Sequence, residues 1–186
     1  NTRLQVEHPV TELVTGIDIV QWQIRIAQGE ALPFTAAQLA PRGWAMECRI
    51  TSEDPANDFL PSTGRISYLR LPGGPGVRWD GGIGIGSEIG LHYDPLLAKL
   101  IVWAPTRDAA IARMHRALLE LTVEGVETSR DFHLRVMEDG EFRRGTYSDS
   151  FTSAGITGVE IQMTEDRGWS KSQSHGHRMA RRSPAV

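Results

Sequence analysis

The chain has 186 residues, 40% of them hydrophobic, and a formal charge of -3. That length supports one domain with flanking pieces around a real core, and the charge excludes the global basic excess that holds nucleic acid. No apolar run reaches the roughly 20 residues of a membrane-spanning helix, and the lone Cys48 rules out an internal disulfide, so a cytoplasmic protein is expected.

The chain opens on Asn1 rather than Met, without an element leading in, and is read as a piece of a longer protein. Residues 3–7 alternate, with Arg3, Gln5 and Glu7 against Leu4 and Val6. Period two predicts a strand with the three polar side chains on one face, ended by His8-Pro9. A short helix over 11–16 closes at Gly16, and Asp18 then caps a helix over 19–28 that Gly29 stops. Val20, Ile24 and Ala27 give that second helix an apolar stripe for packing on a larger body. Residues 30–43 read as a linker punctuated by Pro33, Pro41 and Gly43.

Short strands follow. The first spans 44–50 and carries Cys48, a small packing residue, beside Arg49. Strands over 65–71 and 77–79 form a hairpin about the Gly- and Pro-rich loop 72–76. The apolar run 96–103, broken only by Lys99, predicts a strand buried on most sides. Thr106 caps the clearest helix, with Ile111, Met114, Leu118 and Leu121 on one face. A short strand over 122–126 leads to a last helix from Thr128, where Asp131 suggests a capping box, to near Gly140. Strands first and helices late argue for an α+β fold. From about residue 155 the pattern dissolves, and 167–186, rich in Ser, Arg, His and Gly, is expected to be disordered.

On chemistry alone, the Arg3 guanidinium offers a planar fork for a carboxylate-like anion, the Gln5 amide can orient it, and Glu7 can take its proton. Alternation by itself more often means a solvated strand face with an ordinary Arg–Glu pair. Gly82, Gly84, Gly86 and Gly90 fit no phosphate-binding spacing and read as turn glycines. His175 and His177 have no further metal ligand nearby, and His92, His115 and His133 show no convergent pattern.

The wider string Asn1-Thr2-Arg3-Leu4-Gln5-Val6-Glu7-His8-Pro9-Val10-Thr11-Glu12 resembles the signature of biotin carboxylases and their ATP-grasp relatives. The resemblance runs on through Thr15-Gly16-Ile17-Asp18, Glu47-Cys48-Arg49-Ile50, Glu53-Asp54-Pro55, Phe59-Leu60-Pro61, Gly64, Gly76-Val77-Arg78, Tyr93-Asp94-Pro95, Ala98-Lys99-Leu100-Ile101 and the helix from Asp108 to Leu121, and covers 1 to about 151. It implies the end of an ATP-grasp domain over 1–32, a linker over 33–43 and a C-terminal domain over 44–152. That domain would have a mainly antiparallel sheet with flanking helices, and 153–186 would form a tail.

The resemblance also implies roles. Asn1 matches a ligand of a metal ion, Mg2+ or Mn2+, bound with ATP. Arg3, Gln5 and the backbone of Val6 match a bicarbonate-binding set, and Arg3 is an active-site residue as well. Glu7 matches the general base that deprotonates bicarbonate for attack on ATP, giving carboxyphosphate. Arg49 matches the arginine that contacts bicarbonate and stabilises the enolate oxygen of biotin. Lys99, with Tyr93 and Asp94, supports the active-site side of the domain.

The implied partners are a biotin carboxyl carrier protein or domain, a carboxyltransferase component and, in a homodimer, a second copy. The implied parent is an acetyl-CoA or related acyl-CoA carboxylase, with pyruvate and urea carboxylases as alternatives. The Gly-rich ATP lid and the phosphate-binding lysines of the family are absent from this sequence, so the isolated chain is expected to be inactive. A non-catalytic dimerisation or docking domain is the rival from another class.

Overall fold

The computed structural model describes residues 3–146 and the backbone of 159–160. Its first departure from expectation is at 3–7, which form no strand. His8 N donates to Gln5 O (3.2 Å) and Val10 N to Glu7 O (3.0 Å), so Gln5 to Glu7 turn into the helix α1 (His8–Thr15). Pro9 starts this helix instead of ending a strand, because a first-turn residue has no intrahelical use for an N–H. Gly16 closes α1 in the left-handed conformation, φ 74°, donating its N–H to Glu12 O at 2.8 Å.

Helix α2 (Ile19–Ala27) starts as expected, with Asp18 Oδ1 accepting from Gln21 N at 2.7 Å. Its apolar stripe does not pack on a larger body among the described residues, for Val20 and Ile24 are exposed. The linker contains a single 3-10 turn, Ala36–Leu39, and is tied back to α1 by Arg42 N on Val14 O at 2.8 Å.

Ten strands and three more helices follow among the described residues: β1 (Trp44–Thr51), β2 (Glu53–Asp54), β3 (Leu60–Pro61), β4 (Gly64–Arg65), β5 (Tyr68–Arg70), β6 (Val77–Gly81), β7 (Glu88–Ile89), β8 (Leu96–Ala104), α3 (Arg107–Glu120), β9 (Thr122–Glu124), α4 (Arg130–Glu138), α5 (Gly140–Arg144) and β10 (Val159–Glu160). The main sheet is antiparallel with order β10-β1-β8-β6, and the remaining strands form two-stranded antiparallel pairs. The α+β class with a mainly antiparallel sheet and flanking helices is therefore observed. Of the expected tail, only 159–160 lie within the described residues, where they pair with Glu47 and Cys48; His175 and His177 lie outside them, as does Asn1.

Two further expectations fail. The hairpin about 72–76 does not form, since β5 pairs with β9 and β6 with β8. Each strand finds a distant partner, and the Gly-rich loop merely carries the chain between them. Gly125 permits the β5–β9 approach: its φ of 104° suits glycine, and a Cβ there would collide with Arg65 O. The capping box at Thr128 and Asp131 is also absent. Ser129 is the N-cap of α4, yet its hydroxyl is used elsewhere, and the helix breaks at Asp139, whose Oδ1 accepts from Glu141 N and Phe142 N, both at 2.8 Å, to start α5.

Strand alternation gives the main sheet two different faces. Met46, Cys48, Ile50, Leu100 and Val102, with Val77 and Trp79, pack on Ile111, Met114 and Leu118 of α3 and Val136 and Met137 of α4. The α3 face expected from its spacing is thus the buried one. The opposite face carries α1, whose Val10 and Val14 pack on Ala45 and Ile101. No helix of the described residues is long and apolar enough to cross a membrane.

Candidate functional site

Beyond α1, the second sheet face becomes polar. Arg49 on β1 lies opposite Lys99 on β8, and Lys99 lies opposite Asp80 on β6. Directly opposed residues share a face, so a guanidinium, an ammonium and a carboxylate form one row across three strands. The adjacent row is Glu47, Ile101 and Arg78. Two opposed cations repel each other. Asp80 offsets part of that cost, and an anion held over the row would offset more.

Two contacts fasten the amino-terminal segment to this face. Lys99 Nζ donates to Val6 O at 3.3 Å. Arg78 donates through Nη1 to Glu12 Oε2 at 2.5 Å and through Nε and Nη2 to the two Asp80 oxygens, each at 2.8 Å. The Asp80 hydrogen bonds push the Arg78 guanidinium up from its ordinary value; burial opposes them, and Glu12 adds to the rise. The Glu12 Oε1 atom accepts from Ile19 N at 2.9 Å, so one carboxylate joins α1, α2 and β6.

Arg3 and Gln5 are exposed, while Val6, Glu7, Arg49 and Lys99 are half-buried. Arg3, Gln5 and Glu7 do not share a strand face. Instead, Gln5 O accepts from His8 Nδ1 at 3.0 Å, and Glu7 is the N-cap of α1 without using its side chain in the cap. The Glu7 carboxylate is thus left out of the helix start. One link from this segment toward Arg49 is Lys99, which holds the Val6 carbonyl and faces Arg49 across the strands. Among the described residues no cluster of three His, Cys, Asp or Glu could hold a metal ion.

Cys48 points to the opposite, apolar face and is fully buried. Burial pushes its thiol up, and Glu47 adds to the rise, so it is a packing residue and not a nucleophile.

Sequence reasoning missed the groups behind Arg49. The Arg49 carbonyl accepts from His133 Nε2 at 2.8 Å and from Ser129 Oγ at 3.0 Å. Ser129 Oγ in turn accepts from Thr51 N at 3.0 Å, and Ser129 N donates to Thr51 O at 3.1 Å. Burial lowers the His133 imidazole to about 4 against the opposing effect of its bond to Arg49. The ring is therefore neutral near pH 7 and carries its proton on Nε2. Ser129 and His133 stand four apart, the spacing of one helix face, and Arg78 and Asp80 stand two apart, the spacing of one strand face. Those spacings were the local signals of either group, and Arg78 also lies in the string Gly76-Val77-Arg78 that shares the family resemblance.

Residues 47–154 match the family model described as the biotin carboxylase C-terminal domain, and residues 1–35 match the carbamoyl-phosphate synthase L chain, ATP binding domain. A biotin carboxylase of Nostoc sp. is 54% identical over 81% of this chain and 34% of its own length. A pyruvate carboxylase subunit of Methanothermobacter thermautotrophicus is 47% identical over 88% of this chain and 33% of its own length. A crystal structure of the biotin carboxylase domain dimer of Hydrogenobacter thermophilus 2-oxoglutarate carboxylase, in complex with MgADP, ADP and bicarbonate, superposes with a TM-score of 0.80 at 46% identity, covering 82% of this chain and 34% of that one. The chain thus spans about a third of the length of these relatives.

Proposed function

The chain belongs to the biotin carboxylase C-terminal domain family, and from that premise we propose that it is the bicarbonate- and biotin-holding part of an ATP-dependent biotin carboxylase. In this reading, 1–32 end an ATP-grasp domain, 33–43 link, 44–152 form the C-terminal domain and 153–186 are a tail. The family matches over 1–35 and 47–154 support that division.

Arg3, Gln5 and the Val6 backbone bind bicarbonate, with Arg3 also an active-site residue. Glu7 takes the bicarbonate proton. Arg49 steadies bicarbonate and the negative charge that builds on the biotin carbonyl oxygen. Bicarbonate is a weak nucleophile, so a carboxylate base and a cationic clamp raise its reactivity and fix its direction. ATP with Mg2+ or Mn2+ supplies the activating phosphoryl group, and Asn1 is assigned to the metal ion. The nucleotide, magnesium and bicarbonate of the Hydrogenobacter structure support this set, as the dimer in that structure supports a homodimer here. Biotin arrives on a carrier protein or domain and leaves for a carboxyltransferase component. Within the proposal, the parent is a cytoplasmic acetyl-CoA or related acyl-CoA carboxylase serving fatty acid synthesis.

The observation that carries this reading is the Lys99–Val6 contact, which puts the amino-terminal segment on the same sheet face as Arg49. Bicarbonate- and biotin-dependent ATP cleavage by the full-length protein tests it. Glu7→Gln and Arg49→Ala should each lower the rate by about 10²-fold or more, and near wild-type rates in both would refute the assignments. The isolated chain should release no phosphate in response to biotin.

A further inference from the structure

We propose that His133, together with Ser129, is a positioning residue for Arg49, setting the aim of its guanidinium by holding its main-chain carbonyl. The inference rests on the reading of Arg49 as the arginine that meets bicarbonate and biotin.

The local geometry is unusual for a strand. β10 pairs with β1 only at Glu47 and Cys48, so the outer edge of β1 has no strand beside it from Arg49 onward among the described residues. Side chains of the α4 start take that place. The Arg49 carbonyl receives both the His133 imidazole and the Ser129 hydroxyl, while Ser129 exchanges hydrogen bonds with Thr51 through its own N–H and hydroxyl. The β1–β8 register shifts between Ile50 and Thr51, one residue beyond Arg49, where Leu97 of β8 is left without a partner on β1. A bulge locally disrupts the ladder, so β8 holds the β1 backbone less regularly past Ile50, and the α4 side chains hold it from the other edge.

The holding groups are themselves fixed. His133 and Ser129 are buried. The His133 ring meets Phe132 edge-on at 5.5 Å, and Phe132 meets Phe59 edge-on at 5.3 Å. Phe59 belongs to the loop between β2 and β3 and, with Asp58, adopts a positive φ. Removing the His133 donor would leave a buried carbonyl short of a partner and let the strand end relax. A displacement of about 1 Å at a reacting group can cost about 10²-fold in rate.

The test uses the full-length protein, with free biotin as the probe and biotin-dependent ATP cleavage as the readout. His133→Leu should lower kcat about tenfold or more while the KM for ATP stays within about twofold. His133→Gln should recover most of the loss, because its amide N–H reaches the same carbonyl. Ser129→Ala should lower kcat in the same sense, with a lowered thermal midpoint because Thr51 N loses its acceptor. Arg49→Ala with His133→Leu should fall no further than Arg49→Ala alone, since residues acting as one unit are not additive. Wild-type kcat in Ser129→Ala and His133→Leu, or losses that multiply in the double variant, would overturn the proposal while leaving Arg49 in its role. Should His133→Leu not fold, the Ser129→Ala and His133→Gln rates decide. Wild-type activity in Arg49→Ala is a different failure, that of the reading of Arg49, and removes this proposal with it.

Discussion

Mild acid should destabilise the chain through His133. Its imidazole is 1% exposed, and burial holds it at about 4 against an ordinary 6.5. A histidine lowered in the folded state stays neutral there while the unfolded chain takes up a proton. Between about 4 and 6.5 the unfolded state thus binds more protons, and stability rises with pH across that window. The contribution is whole above pH 6.5, shrinks as pH falls, and is lost once pH reaches about 4. The separation corresponds to about 3 kcal/mol in full, of which about 2 kcal/mol should go between pH 7 and pH 5. That is a sizeable share of the roughly 5–15 kcal/mol that stabilises a domain. Urea denaturation followed by tryptophan fluorescence, at several pH values, measures it. His133→Gln serves as the control, because it keeps a donor to Arg49 O and does not titrate. Wild type should lose about 2 kcal/mol more than the variant over that range; parallel pH curves for the two proteins would refute the linkage.

Glu12→Ala should destabilise the chain by about 2–3 kcal/mol, as it removes a charge-assisted bond to Arg78 and the partner of Ile19 N. Glu12→Gln should recover little, since an amide oxygen on Ile19 N turns its NH2 toward Arg78 Nη1; denaturation midpoints equal to wild type in both would sink this account. Cys48, with its thiol raised by burial, should not react with a thiol reagent in the native state and should be modified when urea unfolds the chain; rapid native labelling would contradict the packing role.

Helix α3 was legible because four apolar residues repeat at helical spacing over a long run, and its Thr106 cap is explicit. Strand β8 was legible as an apolar run of strand length, and β1 as the first short strand after the linker. The alternation at 3–7 misled because five residues cannot distinguish a strand from a turn feeding a Pro-started helix, and the strand would have needed a pairing partner. The false hairpin arose in a similar way: local spacing favoured pairing across 72–76, whereas Leu69 instead pairs with Val123 and Trp79 with Leu100. In the site, Arg3, Gln5, Glu7 and Arg49 could be nominated from the motifs they belong to. The bonds that place them could not be. Lys99 to Val6 and His133 to Arg49 join residues 93 and 84 apart, each from a side chain to a main-chain carbonyl. A carbonyl has no residue identity, so no sequence pattern marks it as an acceptor.

The period of two that hides Cys48 is also what presents Arg49. Along β1, Met46, Cys48 and Ile50 enter the core under α3, while Ala45, Glu47 and Arg49 take the face that carries α1. A slip of one residue would exchange the two sets, so the apolar packing of Cys48 and Ile50 fixes which way Arg49 turns. Packing alone does not fix how far along the strand Arg49 is aimed, for the ladder becomes irregular one residue beyond it, after Ile50. That remaining freedom is removed from two sides. β8 brings Lys99 opposite Arg49 and anchors the segment ending in Glu7, and α4 brings Ser129 and His133 to the carbonyl behind it. The cationic row is thus held by neighbours that never need to touch a substrate, and their loss should appear in kcat before it appears in nucleotide binding.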